Sequence, residues 1–424
     1  MLQLNYIREN KEEVINRLAV KHFKDAETVI DSIITLDNNR KAAQKQGDDC
    51  KAEANNLAKQ IGDLMKAGKR EEAEVLKVKT AELKSTEKSL DEKLKSIENQ
   101  IHQLLVTVPN LPHSSVPKGK SPEDNEVVVE KGNKPNLYPG AKPHWELTTQ
   151  YDIIDFELGV KLTGAGFPVY KGKGARLQRA LINFFLDRAT SQGYHEVQPP
   201  IVVNEDSGYG TGQLPDKEGQ MYFVGEDKLY LIPTAEVPIT NMYRDVILKE
   251  EDFPIKNCGY TPCFRREAGS YGKDVRGLNR LHQFDKVEIV QIEHPQKSYQ
   301  TLENMLNYVA SLLEELELPY RVLRLCGGDM SFGSALTYDL EVWSAAQQRW
   351  LEVSSVSNFE TFQTNRLKCR YKDEKGKTQL AHSLNGSALA LPRIVASLLE
   401  NNQTENGIKI PKALVPYCGF EIIS

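Results

Sequence analysis

Between Val29 and Leu105 the chain carries no proline and repeats its apolar residues in sevens, a pattern that leaves few folds open. Val29, Leu36, Ala43, Cys50, Leu57 and Leu64 make one series, and Leu76, Leu83, Leu90, Ile97 and Leu104 make a second. Companions at half-heptad offsets complete an a/d stripe on two helices: Ile33, Ala54 and Ile61 on the first, Leu94 and Ile101 on the second. Between the series lies Lys66-Ala67-Gly68-Lys69-Arg70, whose glycine can close a tight reversal. The expectation is an antiparallel two-helix hairpin over about residues 28–105, each arm reaching about 50–60 Å at 1.5 Å per residue. Heptads more commonly build dimerisation coils or spacers. Similar arm lengths and a short connection favour pairing within one chain. Lys66, Lys69 and Arg70 cluster at the predicted tip, but lysines on a coiled coil are usually a solvated face. By itself the hairpin points only weakly to RNA.

After Val108-Pro109-Asn110-Leu111-Pro112 the texture changes to prolines, glycines and short extended segments. This divides the chain into an arm domain, 1–110, and a second domain, 111–424. In the second, runs rich in branched and aromatic residues predict strands at Leu229–Ile232, Val287–Ile292 and Arg321–Leu325. Helical periods occupy Gly174–Gln192, Gln296–Leu316 and Ile394–Asn402. Strands separated by few helices predict an α+β fold on a mainly antiparallel sheet rather than a βαβ nucleotide fold.

Bulk charge neither requires nor excludes a nucleic-acid partner, because the formal net charge is −5. The N-terminus becomes charged too early for a signal peptide, and no apolar run is long enough to span a membrane. A cytoplasmic protein is expected. The six cysteines form no CxxC pair, so neither a zinc site nor a disulfide framework is expected.

The usual ATP devices are missing, since neither GxxxxGK[ST] nor a GxGxxG after a strand occurs. Three other stretches carry more information. Thr261-Pro-Cys-Phe-Arg265-Arg266-Glu267 is followed by a glycine-rich loop, Tyr271–Gly277, and then by Arg280-Leu-His282-Gln-Phe284-Asp-Lys-Val-Glu288. A strand and a returning strand would hold Arg265 and Glu288 on one face. Arg265 suits a phosphate because its planar fork keeps its charge, and Phe284 offers a flat surface for a base. In Glu352-Val353-Ser354-Ser355 the hard oxygens of Glu352 and Ser355 suit Mg²⁺. Strand alternation puts them on opposite faces, so a shared site requires a bulge or a strand end. His382-Ser-Leu-Asn385-Gly-Ser387-Ala388-Leu-Ala-Leu-Pro392-Arg393 runs into an apolar helix whose start could meet an anion. Each stretch alone also fits an ordinary hairpin, surface strand or helix start.

Together they resemble motifs 2 and 3 of the class II aminoacyl-tRNA synthetases. Thr234-Ala235-Glu236, Glu352–Ser355 and Asn385–Arg393 narrow the likeness to the seryl-tRNA synthetase family of bacterial type. Gly210-Thr-Gly-Gln-Leu-Pro215 and Tyr338-Asp-Leu-Glu-Val-Trp343 fit it too, and Glu196–Pro200 resembles motif 1. The resemblance implies activation of L-serine with ATP and Mg²⁺, without zinc, and its transfer to the 3′ end of serine tRNA (and of selenocysteine tRNA where one exists). It implies that Arg265 holds the α-phosphate and Arg393 the γ-phosphate. Phe284 would stack on adenine and Glu267 meet its edge, with Arg266, Val353 and Ser354 in the ATP-binding segments. Glu352 and Ser355 would carry Mg²⁺. Thr234, Ala235, Glu236, Arg265, Glu288, Asn385 and Ser387 would form the serine site, with Glu288 pairing with the ammonium. The hairpin would lie along the long variable arm of the tRNA, with Lys66, Lys69 and Arg70 as phosphate contacts, and the enzyme would be a homodimer. The sequence departs from the family pattern at Arg266, Val356, Ala388 and Pro392. Pro392 is compatible with a helical Arg393 only in the first turn. Rival readings are a related ligase that loads a carrier protein, disfavoured by the arm, and an inactive paralogue, disfavoured by intact motif residues.

Overall fold

The computed structural model describes every residue except Lys217 and residues 268–275, so the Tyr271–Val275 part of the glycine-rich loop lies outside the described residues. The chain forms two compact units, residues 1–19 with 23–109 and residues 20–22 with 110–424.

In the first unit two short helices, α1 (Leu4–Glu9) and α2 (Lys11–Val20), precede two long ones, α3 (Ala26–Lys66) and α4 (Arg70–Leu105). The long pair packs side by side as the hairpin predicted from the heptads. Gly68 makes the reversal at a φ of +77°, where a side chain would be strained. On α3 from Ala43 upward the seam follows the predicted positions, including Ala54 and Leu57; opposite them Ile97 and Ile101 are buried as predicted, joined by Ala73 and by Leu105 in place of Leu104. Near the base it swings by one residue. Ile30 and Asp37 are buried where Val29 and Leu36 were expected, and those two are only half-buried. The cause is α1, which packs on this part of α3 and turns a two-helix seam into a three-helix one.

Asp37 sits in that wider stripe with its side chain 4% exposed, held by Arg8 at 3.3 Å, Arg40 at 2.9 Å and Lys41 at 3.0 Å. A buried carboxylate is tolerable only with such partners.

The second unit is built on an 8-stranded sheet. Its strands are β1 (Glu126–Lys131), β2 (His195–Glu196), β3 (Ile255–Phe264), β4 (Gln283–Glu293), β5 (Tyr320–Arg324), β6 (Leu336–Ser344), β7 (Arg349–Glu360) and β8 (His382–Ala390). Their spatial order is β1-β5-β6-β7-β8-β4-β3-β2, and every pair is antiparallel except β2–β3. The mainly antiparallel α+β expectation therefore holds. Residue pattern alone predicts no strand at 382–390, because its serines, asparagine and glycine are poor strand formers. In the fold it is a central strand, since sheet position outweighs propensity.

Alternation assigns the two faces. Val287, Ile289, Leu340, Val342, Leu351, Val353, Val356 and Leu384 enter the main core. Four helices are placed around the sheet: α5 (His144–Gln150), α6 (Gly172–Ser191), α7 (Ser298–Glu315) and α8 (Leu391–Asn401). Leu177, Leu181 and Phe184 of α6, Leu302, Val309 and Leu313 of α7, and Ile394 and Leu398 of α8 supply the facing apolar layer. The other face of β4 presents Phe284, Lys286 and Glu288. It is polar because something other than a hydrophobic layer has to occupy it.

Replacing Asp37 by Asn is expected to destabilise the base of the hairpin by about 1–3 kcal/mol, the scale of losing buried charge-assisted hydrogen bonds. Hydrogen exchange of the backbone amides in 33–41 should quicken in Asp37→Asn while those near the tip keep their rates.

Candidate functional site

The polar face of β4 is assembled by register. Glu288 lies opposite Gly259 on β3 and opposite Ser387 on β8, and Phe284 lies opposite Cys263. Arg265 follows the end of β3, and its amide donates to the His282 carbonyl at 2.9 Å, so the antiparallel alignment continues by one residue. Arg265 and Glu288 thus share a face, as expected. The Arg265 guanidinium carbon stands 5.3 Å from the centroid of the Phe284 ring. The cation lies over the ring at one end of the strand.

At the other end Glu288 is 1% exposed. Its Oε2 meets Lys286 Nζ at 2.7 Å and accepts from Thr234 Oγ1 at 3.2 Å, while Oε1 accepts from Asn385 Nδ2 at 3.0 Å. Thr234 arrives on the segment leading into a short helix, Glu236–Asn241, whose Ile239 packs with Ala235 on Val290 of the same face. That packing, together with the Thr234–Glu288 hydrogen bond, holds Thr234 and Glu236 over the strand. Ala235 contributes through its backbone and its small size. Glu236 is buried, and its Oε1 accepts from Gln363 Nε2 at 2.6 Å. Ser383 holds the other end of that amide, donating to Gln363 Oε1 at 2.7 Å. Burial, and then the neighbouring Glu288 charge, push the Glu236 carboxyl up to about 7.

The third part of the site rests on a β-bulge. Leu340 pairs with Ser354 but Glu341 pairs with Glu352, so Val353 is an extra residue on β7. The bulge resolves the conflict between alternation and a shared site. Glu352 and Ser355 come to one side, with Ser355 Oγ 3.4 Å from Glu352 Oε1, while Val353 and Ser354 are buried. Ser354 then acts internally, donating to the Ser387 carbonyl at 2.6 Å. A second bulge lies across the sheet. Lys286 pairs with Ala390 and Glu288 with Ser387, so Ala388 and Leu389 together face Val287.

Arg393 stands in the first turn of α8, with Pro392 ahead of it in that turn, which removes the difficulty foreseen for this proline. Its Nη1 donates to the Glu352 carbonyl at 2.8 Å and its Nε to the Asn279 carbonyl at 3.0 Å. Nη1 also lies 3.7 Å from Glu352 Oε2. The cation and the hard-oxygen pair are therefore neighbours.

Other predicted residues fall outside this cluster. Arg266 is exposed, and alternation turns it away from Arg265. Glu267 has a φ of +48° and is paired with Arg280. Lys66, Lys69 and Arg70 are exposed at the hairpin tip, where Lys69 pairs with Glu72 at 3.0 Å.

Sequence reading missed Asp339, Lys286 and Gln363. Asp339 lies opposite Ser355 and is 8% exposed, with Oδ1 buried and unpartnered. Burial and then the Glu352 charge raise its carboxyl well above the ordinary range. An orphaned buried oxygen beside Glu352 and Ser355 is what a hard divalent cation would satisfy, and an all-oxygen donor set fits Mg²⁺. Lys286 could have been found, because charged residues two apart inside an apolar strand must share a face. Gln363 gave no local signal. Among the described residues no cluster of three His, Cys, Asp or Glu side chains could hold a metal, and no helix is long and apolar enough to cross a membrane.

This chain is similar along its length to known proteins. A family described as "Seryl-tRNA synthetase N-terminal domain" matches residues 1–112, and one described as "tRNA synthetase class II core domain (G, H, P, S and T)" matches 223–402. The serine–tRNA ligase of Salinibacter ruber is 51% identical over 99% of this chain and 98% of its own length. That of Chlorobaculum parvum is 46% identical over 100% of both. The crystal structure of seryl-tRNA synthetase from Pyrococcus horikoshii complexed with ATP has a TM-score of 0.93 at 34% identity, covering 100% of this chain and 99% of that one.

Glu236→Gln tests the enclosed carboxyl. Because the folded value lies above the ordinary one, wild type loses stability as pH rises from about 4.5 to about 7. Glu236→Gln removes that penalty and keeps an acceptor for Gln363. Without substrates, it should be more stable above pH 7 by up to roughly 3 kcal/mol. Thermal unfolding followed across pH should show the gain vanish below about pH 4.5.

Proposed function

The chain belongs to the class II seryl-tRNA synthetase family, and from that premise we propose how its polar sheet face performs serine activation and transfer to tRNA. The co-location of Arg265, Glu288 and the Glu352–Ser355–Arg393 group on one face is the observation that carries the reading. ATP lies bent across β4 and β7, with adenine on Phe284, Glu267 at its edge and Arg393 at the γ-phosphate. Arg265 bridges the α-phosphate and the serine carboxylate. Glu352 and Ser355 hold Mg²⁺, with Asp339 completing the oxygen set. Mg²⁺ supplies charge neutralisation at the phosphates, and the chain supplies the rest.

Serine fits the other end of the face. Glu288 and Glu236 place two carboxylates beside the single buried amine of Lys286, so an incoming ammonium improves the charge balance at Glu288. Thr234, Asn385 and Ser387 hold Glu288 and its surroundings in place. Glu236, its carboxyl pushed up to about 7 by burial and by Glu288, is accessible in both protonation states and so can donate to or accept from a small hydroxyl. An analogue lacking the hydroxyl leaves these enclosed groups unpaired, which is a strong basis for rejecting it.

In the first step a serine carboxylate oxygen attacks the α-phosphorus and the bond to the bridging oxygen of the β-phosphate breaks. Seryl-adenylate forms and pyrophosphate leaves. Charge develops on the α-phosphoryl oxygens, where the fixed Arg265 fork stabilises it without reorganising. In the second step a ribose hydroxyl at the tRNA 3′ end attacks the seryl carbonyl and AMP leaves. The domain comprising residues 1–110 directs the tRNA, its hairpin lying on the long variable arm and reading shape and phosphates. Residues 111–424 carry the chemistry. Pairing of two copies through the Glu196–Pro200 segment and a cytoplasmic place of action belong to the same reading.

Serine-dependent ATP–pyrophosphate exchange tests it. Arg265→Ala should lower exchange by roughly 10²–10³-fold, the scale of losing one transition-state donor. Unchanged exchange in Arg265→Ala would overturn the assignment. Combined Lys66→Ala, Lys69→Ala and Arg70→Ala should leave exchange intact and weaken tRNA binding. The slope of log affinity against log salt should become shallower by up to roughly 0.7–0.9 for each phosphate that is no longer neutralised.

A further inference from the structure

Behind Arg393 lies a set of buried polar groups that the chemistry above does not use. His144 opens α5 and is 0% exposed. Its Nδ1 is 2.7 Å from Glu400 Oε1, and its backbone amide donates to the same oxygen at 3.0 Å. On the other side of the ring, Nε2 accepts from the Leu278 amide at 2.8 Å. An Nε2 that accepts carries no proton, so Nδ1 carries it and donates to Glu400. The ring is neutral and held in one tautomer. Glu400 is fixed in turn. Its Oε2 accepts from Ser344 Oγ, so both carboxylate oxygens are partnered.

The residue after Leu278 makes the connection to the site. The Asn279 carbonyl accepts from Arg393 Nε at 3.0 Å. A parallel link runs through side chains, because Asn279 Nδ2 donates to Gln347 Oε1 at 3.0 Å and Gln347 Nε2 donates to Glu400 Oε1 at 3.0 Å. The space is tight enough to require glycine at 277. Gly277 has a φ of +64°, and a Cβ there would stand 2.3 Å from His144 Nε2. Arg393 is thus held from two sides, by Glu352 in the sheet and by a backbone carbonyl whose position His144 determines.

We infer that His144, clamped by Glu400, is a positioning residue that fixes residues 277–279 and through the Asn279 carbonyl aims Arg393 at the terminal phosphate of ATP. The inference rests on the proposed γ-phosphate role of Arg393. A half-buried arginine such as Arg393 loses much of its benefit if it must be ordered anew at each binding event. A neutral imidazole suits the task because it donates on one edge and accepts on the other without adding a charge beside the guanidinium.

The signature is selectivity for the part of the ligand that carries the γ-phosphate. In the full-length enzyme, His144→Ala should raise the KM for ATP in pyrophosphate exchange by roughly tenfold. The KM for serine and the Kd of a non-hydrolysable seryl-adenylate analogue, which has no γ-phosphate, should stay within about twofold. In an Arg393→Ala background the His144→Ala change should add little, because the two act as one unit. Should His144→Ala fail to fold, as its melting curve would reveal, Gln347→Ala cuts the parallel link while leaving the His144–Glu400 pair. It should show the same selectivity in milder form. Equal weakening of ATP and the adenylate analogue, or no change in either, would overturn the inference even where Arg393→Ala alone weakens ATP. If Arg393→Ala leaves ATP affinity intact, the γ-phosphate assignment fails and the inference falls with it.

Discussion

Glu288 is almost wholly enclosed in the middle of the sheet, and its oxygens are divided among Lys286, Thr234 and Asn385. A carboxylate in that position costs several kcal/mol unless each lone pair finds a partner. Its partners come from its own strand, from the loop before the Glu236–Asn241 helix and from β8. Satisfying one charge therefore requires three separate segments to be in register. The same register sets Ser387 opposite Glu288 and brings Arg265 to the same face as Phe284. Buried polar networks of this kind specify one arrangement because alternatives leave a charge unpaired.

The opposite end of the site uses backbone irregularity in place of charge. A regular β7 would send Glu352 and Ser355 to different faces, and the extra residue at Val353 brings them together. The valine is buried in the main core, so the bulge is anchored by apolar packing on one side while it presents oxygens on the other. Arg393 reaches this spot because α8 begins immediately after β8, with Pro392 in the turn where a missing amide hydrogen costs nothing. Strand, bulge and helix start thus converge on the spot where the proposed reading puts a triphosphate and a divalent cation.

Much of this was legible from residue order. The heptads gave both long helices, the reversal at Gly68 and the seam along the middle of α3, because coiled-coil packing is local and periodic. Motif residues such as Arg265, Glu288, Glu352 and Arg393 could be named because distinctive residue types recur at short spacings. The swing of the seam to Ile30 and Asp37 was not legible. It depends on α1, which the heptad pattern of α3 does not describe. Asp339, Gln363 and His144 were also missed as functional residues. Each acts through a partner at least 16 positions away, namely Ser355, Glu236 and Leu278 respectively, and no local pattern marks such a contact.

By itself, residue order determined which groups were available: a proline-free helical pair, an arginine beside a returning strand, and hard oxygens near an apolar helix. These follow from periodicity and side-chain chemistry, which act over a few residues. Tertiary structure decided which groups face one another. Sheet register placed Glu288 among its partners, and a one-residue bulge put Glu352 and Ser355 on the same side. Packing from distant segments buried Glu236 deeply enough to shift its ionisation. Register, bulges and burial are properties of paired and packed chains, set by the need to satisfy every enclosed hydrogen-bonding group at once, and that requirement exists only in the folded molecule.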